Sequence, residues 1–113
     1  MAIEYKYSQE IATILIGGTT SPSIRIFGKT TVGVLTPSLM TGTEFTFLVS
    51  LDDVTFLPFF NPYSEEVKTI YVRNEARHVG VEPQDFMGIN FVKIVSNDTE
   101  VAERSITLSL RTL

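Results

Sequence analysis

The side chains able to do chemistry in this chain are few, and each has a structural reading beside the chemical one. Asp52 and Asp53 stand between two greasy, aromatic-rich segments that run from Thr46 to Leu51 and from Val54 to Phe60. An aspartate pair in an apolar cleft is the raw material of acid–base catalysis, because unequal surroundings drive two carboxyl pKa values apart. Working carboxylate pairs usually converge from different elements. Adjacent aspartates between two strands instead fill a hairpin loop, where Asp is a favoured turn former, and that is the reading adopted. His78 is the single histidine. As a general base it needs a nucleophile, and no Gly-x-Ser-x-Gly elbow accompanies it. In Arg77-His-Val-Gly-Val81, alternation puts it opposite Val79 and Val81, on an exposed strand face.

The remaining candidates read the same way. Asp98, Glu100 and Glu103, and the pair Glu82 and Asp85, offer oxygens to calcium but lack the EF-hand spacing, so they read as solvated loop carboxylates. Gly17-Gly18-Thr and Gly28-Lys-Thr-Thr resemble fragments of phosphate loops without the full spacing, and read as turns. There is no cysteine, which removes disulfide frameworks, thiolate zinc sites and a cysteine nucleophile. The expected catalytic, metal and cofactor sets are therefore empty, and the chain reads as a non-enzyme.

The elements that would carry these residues are strands. Ile106, Leu108 and Leu110 alternate with Thr107, Ser109 and Arg111; Phe45, Phe47 and Val49 alternate with Glu44 and Thr46. Val92 and Ile94 flank Lys93, Ile24 and Ile26 flank Arg25, and Val79 and Val81 repeat the pattern. A period of two in runs rich in Val, Ile, Thr and Phe is the mark of half-buried strands. Turn pairs such as Gly17-Gly18, Thr41-Gly42, Asn61-Pro62 and Asn97-Asp98 fall between them. About eight strands at near-regular spacing predict a single antiparallel β-sandwich over residues 1–113, all-β in class. One helical turn is expected at Pro83-Gln-Asp-Phe-Met87, where Pro starts and Gly88 ends it. Pro58 lacks a backbone donor, so the run 54–60 belongs at a sheet edge or ends in a bulge. The weakly alternating Ile3-Glu-Tyr-Lys-Tyr7 lies in a stretch, 1–8, expected to form an extended arm that adds to a neighbour's edge.

The loop Leu57-Pro-Phe-Phe-Asn-Pro-Tyr63 departs most from an ordinary surface. Its rings cannot all enter one thin sandwich, and soluble monomers seldom expose large apolar patches. Three readings stay open: a partner covers the loop, the loop folds back to cap the core, or its rings stack on sugars. Pro58, Phe59, Phe60, Pro62 and Tyr63, with Tyr5 and Tyr7 of the arm, are the candidate interface residues. The bulk composition frames them. Of the residues, 43% are hydrophobic and 19% charged, which is globular, and the net charge of −4 with scattered Lys and Arg gives no nucleic-acid footprint. No apolar run reaches the ~20 residues of a membrane span, and the N-terminus lacks a secretory pattern. Synthesis in the cytoplasm, with no membrane partner, is expected.

Two resemblances add to this. The succession 43–56, then Gly80-Val-Glu-Pro-Gln-Asp-Phe-Met-Gly88, then Asn90-Phe-Val-Lys-Ile-Val-Ser96, resembles the discoidin-like, galactose-binding jelly roll. It resembles more closely a group of small virion proteins of tailed bacteriophages, through Val81-Glu-Pro-Gln-Asp-Phe-Met-Gly88, Val92-Lys-Ile-Val-Ser96 and Ala102-Glu-Arg-Ser-Ile-Thr-Leu108. The resemblance covers roughly residues 31–113. Two departures stand out: Asp53 occupies a turn position where these relatives usually carry Gly, which would lengthen the loop, and the following strand has no Trp. The resemblance implies a jelly-roll-like sandwich and a structural component of the virion, foremost a decoration or cement protein binding the major capsid protein of the head. A homo-oligomer, a trimer or larger, would suit such a lattice. The alternative it implies is a carbohydrate- or receptor-binding module of a tail or fibre.

Overall fold

The computed structural model describes residues 6–113. Among them are nine strands and one short helix: β1 (Tyr7–Ile14), β2 (Ile24–Arg25), β3 (Lys29–Thr36), β4 (Glu44–Ser50), β5 (Leu57–Pro58), β6 (Thr69–Tyr71), β7 (Arg77–Gly80), α1 (Pro83–Phe86), β8 (Phe91–Ser96) and β9 (Arg104–Thr112). Every pairing is antiparallel. One sheet has the order β1-β9-β3-β7, and the other has the order β2-β8-β4-β5, with β6 also pairing with β4. If the two-residue β5 is set aside, the chain pairs first strand with last, second with second-last, and so on inward. That nested hairpin, wrapped over two sheets, is a jelly roll.

The alternation read from the sequence becomes the core. Phe45 and Phe47 of β4 and Val92 and Ile94 of β8 are buried in one sheet, and Ile106, Leu108 and Leu110 of β9, with Ala12, Ile14 and Val34 on the strands beside it, are buried in the other. Their partners Thr107, Ser109 and Lys93 remain part-exposed. Phe47 is the centre of a ring cluster, edge-on to Phe45 at 6.0 Å, to Phe86 at 5.4 Å and to Phe59 at 6.5 Å between centroids. Such pairs add about 0.5–1.5 kcal/mol each beyond area burial.

The helical turn falls where Pro83 and Gly88 place it, Gly88 taking a φ of 88° that a side chain would resist. α1 takes the place of a strand beside the first half of β3: β7 pairs only with residues 33–36, and the Thr30 hydroxyl donates to the Pro83 carbonyl.

The central strand β3 is not among the alternating runs, because a register shift between Thr31 and Gly33 reverses which side chains point inward. One element differs from expectation. The run 54–60, expected as a strand, contributes only Leu57 and Pro58 at the edge of its sheet. The amides of Val54 and Thr55 are turned onto the Asp52 carboxylate instead of a neighbouring strand. Of the stretch 1–8 read as an arm, residues 1–5 lie outside the described residues. Tyr7 and Ser8 are the first residues of β1, paired with Arg111 and Leu110 of their own chain.

Candidate functional site

The Asp-Asp pair is a structural turn. Asp52 Oδ1 accepts from the Val54 and Thr55 amides at 2.9 Å each and from the Ser50 hydroxyl at 3.0 Å. Those bonds, led by the Thr55 amide, hold its carboxyl below the ordinary aspartate value of 3.8. A carboxylate so engaged stays ionised and is a weak base. Asp53 accepts from the Ser23 hydroxyl and has a φ of 64°. That left-handed conformation is one Gly adopts freely and Asp tolerates, and the connection from β4 to β5 runs over residues 51–56, longer than a two-residue hairpin turn, as Asp in place of Gly implied. An open cleft of about 260 Å³, lined by Val49, Leu51, Asp52, Thr55, Leu57 and Ile89, lies beside this turn.

His78 lies on the outer face of its sheet, its ring over Gly33, where a Cβ would collide with it. The Asp turn leaves the other sheet, at the end of β4.

One carboxylate read from the sequence as solvated is buried. Glu100 has no exposed surface. Its oxygens accept from the Thr41 amide at 2.9 Å, the Gly42 amide at 2.8 Å, the Ser96 hydroxyl at 2.8 Å and Arg104 Nε at 3.0 Å. Desolvation pushes this carboxyl up, and the Gly42 and Thr41 amides, with Ser96 and Arg104, outweigh it, so its pKa falls below the ordinary glutamate value. Its backbone joins the 15–20 loop as well, accepting from Gly17 N at 2.7 Å and donating to the Gly18 carbonyl at 2.9 Å. Glu100 therefore clamps three loops at one end of the sandwich. The other acidic candidates do not gather: among the described residues no three acidic or histidine side chains are placed to share a metal ion.

The aromatic-proline loop divides its rings. Phe59 turns inward, 4.9 Å from Phe86 between centroids, and caps the core. Beyond it the chain forms a small hairpin: Phe60 bridges to Val67, and Asn61 N donates to the Glu66 carbonyl at 2.7 Å. Lys68 fixes the hairpin to α1, its Nζ 2.7 Å from Asp85 Oδ2 and 3.0 Å from Asn61 Oδ1. Both side chains of the Lys68–Asp85 pair are over four-fifths buried, 12% and 18% exposed. The hairpin then presents Phe60, Pro62 and Tyr63 outward, Tyr63 at 99% exposure. Between Tyr63 and α1 lies an open hollow of about 470 Å³ whose walls include Asn61, Ser64, Lys68, Gln84 and Asp85.

Pro58 is exposed on β5, adjoining the hairpin. Tyr7 is exposed too, but β1 lies over the β2 edge of the opposing sheet, away from β5. Tyr5 lies outside the described residues. The structure thus brings Pro58, Phe60, Pro62 and Tyr63 to one region, sends Phe59 to the core and leaves Tyr7 at the far edge. Lys68, Gln84 and Asp85, which sequence reading did not single out for this site, complete it. Only the turn residues of Pro83-Gln-Asp hinted that α1 sits anywhere definite.

The fold and surface together define a jelly-roll module with a polar hollow beside exposed rings. No protein-family model matches the chain, and no curated protein matches it. Among solved structures, it is similar to the crystal structure of the SPBc2 prophage-derived protein YomS, with a TM-score of 0.60 at 9% sequence identity, over 99% of both chains. At that identity the likeness is one of fold.

Proposed function

We propose that this chain is a non-enzymatic structural protein of a tailed-bacteriophage virion, a decoration or cement protein that docks its 60–64 hairpin on the major capsid protein of the head. The observation that carries the reading is the hairpin itself: Tyr63 is 99% exposed on a hairpin whose base Lys68 ties to α1. Tyr has only two side-chain torsions to order on binding, and it is enriched among the residues that dominate interfaces. Two further points support it. Jelly rolls recur in viral capsid and lectin domains, and the similar fold described above belongs to a prophage-derived protein.

The test is a comparison of phage heads carrying the wild-type chain with heads carrying Tyr63→Ala or Phe60→Ala. Both variants are expected to fold normally, to co-purify poorly with heads and to leave them more sensitive to heat. Purified virions that lack this polypeptide by mass spectrometry overturn the reading, as do variants that bind heads like wild type.

A second reading has its own observation. The hollow beside Tyr63 sets polar groups of Asn61, Ser64, Gln84 and Asp85 next to an aromatic face, the composition of a saccharide site. A carbohydrate- or receptor-binding module of a tail or fibre predicts saturable glycan-array signal lost in Tyr63→Ala and in Gln84→Ala. A decoration protein gives none.

A further inference from the structure

We infer that β1 is a dimerisation edge, pairing antiparallel with β1 of a second copy about a twofold axis at Ile11. The inference rests on backbone geometry and is independent of the virion reading. Thr112 N donates to the Lys6 carbonyl at 2.8 Å, and the Tyr7–Arg111 to Ile14–Arg104 register continues without interruption. In an antiparallel ladder the hydrogen-bonded pairs alternate, so even-numbered residues of β1 bond to β9. Tyr7, Gln9, Ile11 and Thr13 consequently turn their N–H and C=O groups to the open side, where no partner exists among the described residues. The other sheet edges are guarded. β2 and β5 have two residues each, β5 containing Pro58, β6 has three, and β7 has four before α1 takes its place. β1 runs eight residues with no Pro, Gly or bulge, the kind of edge that pairs with another chain unless blocked.

The side chains select the occupant and the register. Tyr7, Ile11 and Leu15 are exposed by 65%, 62% and 61% along one face. A twofold at Ile11 sets Ile11 against its own mate, Tyr7 against Leu15 of the second copy, and Gln9 against Thr13: apolar meets apolar and polar meets polar. Glu10 then faces Ala12 of the second copy. Shifting the axis to Glu10 would set two like charges directly opposite, which is destabilising. The strand is thus complementary to itself, and a twofold contact uses the edge on both copies and closes. The result is one continuous sheet of eight strands, an even-numbered assembly where the virion resemblance implied a trimer or larger.

The test uses the full chain and exploits its lack of cysteine. Sedimentation equilibrium is expected to give a reversible dimer, and Ile11→Lys, which places two cations at the axis, to weaken it at least about tenfold with an unchanged circular dichroism spectrum. Ile11→Cys should cross-link to itself with a short bis-maleimide. Gln9→Cys should cross-link poorly alone and well when mixed with Thr13→Cys. A monomer at millimolar concentration overturns the inference. So does a dimer indifferent to Ile11→Lys, or Gln9→Cys cross-linking preferentially with Ile11→Cys, the pattern of an axis at Glu10.

Discussion

Replacing Glu100 with Ala removes the acceptor for two loop amides, a hydroxyl and an arginine at once. Their separate costs do not add, because the partners differ in access to water. Arg104 keeps 13% of its side chain exposed and can turn its charge outward. The Ser96 hydroxyl can rotate. The Gly42 amide cannot leave, since Gly42 is packed so closely on Ser96, Asn97 and Glu100 that even a Cβ would not fit. Leaving one or two buried donors unpaired costs about 1–3 kcal/mol each, and breaking a buried ion pair from one side costs about 3–5 kcal/mol. We expect a loss of about 3–5 kcal/mol, a large share of the ~5–15 kcal/mol available to a domain. Urea denaturation followed by tryptophan-free readouts, circular dichroism or tyrosine fluorescence, measures it. The pH dependence gives a second check. A carboxyl whose folded pKa lies below its unfolded value adds stability that is complete above the ordinary 4.5 and is lost as pH falls through the folded value. Glu100→Gln should therefore narrow the stability gap to wild type as the solution is acidified below pH 4.5. A loss under about 1 kcal/mol for Glu100→Ala, or a gap to Glu100→Gln that stays constant on acidification, would refute the clamp.

Phe47→Ala empties the centre of the ring cluster and should cost about 3–5 kcal/mol in denaturant titrations; a value under about 1 kcal/mol would mean the ring is not packed as described. Asp53→Gly trades the Ser23 bond for relief at a φ of 64°, and should shift stability by no more than about 1 kcal/mol in either direction, whereas Asp53→Val, β-branched at that φ, should cost more. Gly33→Ala should push the exposed His78 ring aside and change stability by no more than about 1 kcal/mol, and become more favourable in a His78→Ala background; a double-mutant cycle with no coupling would rule out that contact.

Periodicity alone made the fold class legible, because β8, β9 and β4 each bury one face and so had to alternate. The same reasoning was blind to β3, where one extra residue inverts the pattern, and misjudged 54–60, where a side chain outcompetes a neighbouring strand for two amides. The turn at Asp52 was readable because its bonds reach only two or three residues along the chain. Glu100 was not, because the Thr41 and Gly42 amides it holds lie 59 and 58 residues away in sequence. The candidate site split along the same line: the aromatic-proline loop announced exposed rings, but inward Phe59 and outward Tyr63 are of one chemical kind. Local sequence thus determined which residues alternate, where the chain turns and where Pro58 forbids a central strand. Tertiary structure decided which sheet each strand joins, which ring the core claims and which carboxylate loses its water, since each of these depends on groups that only the folded chain brings within reach.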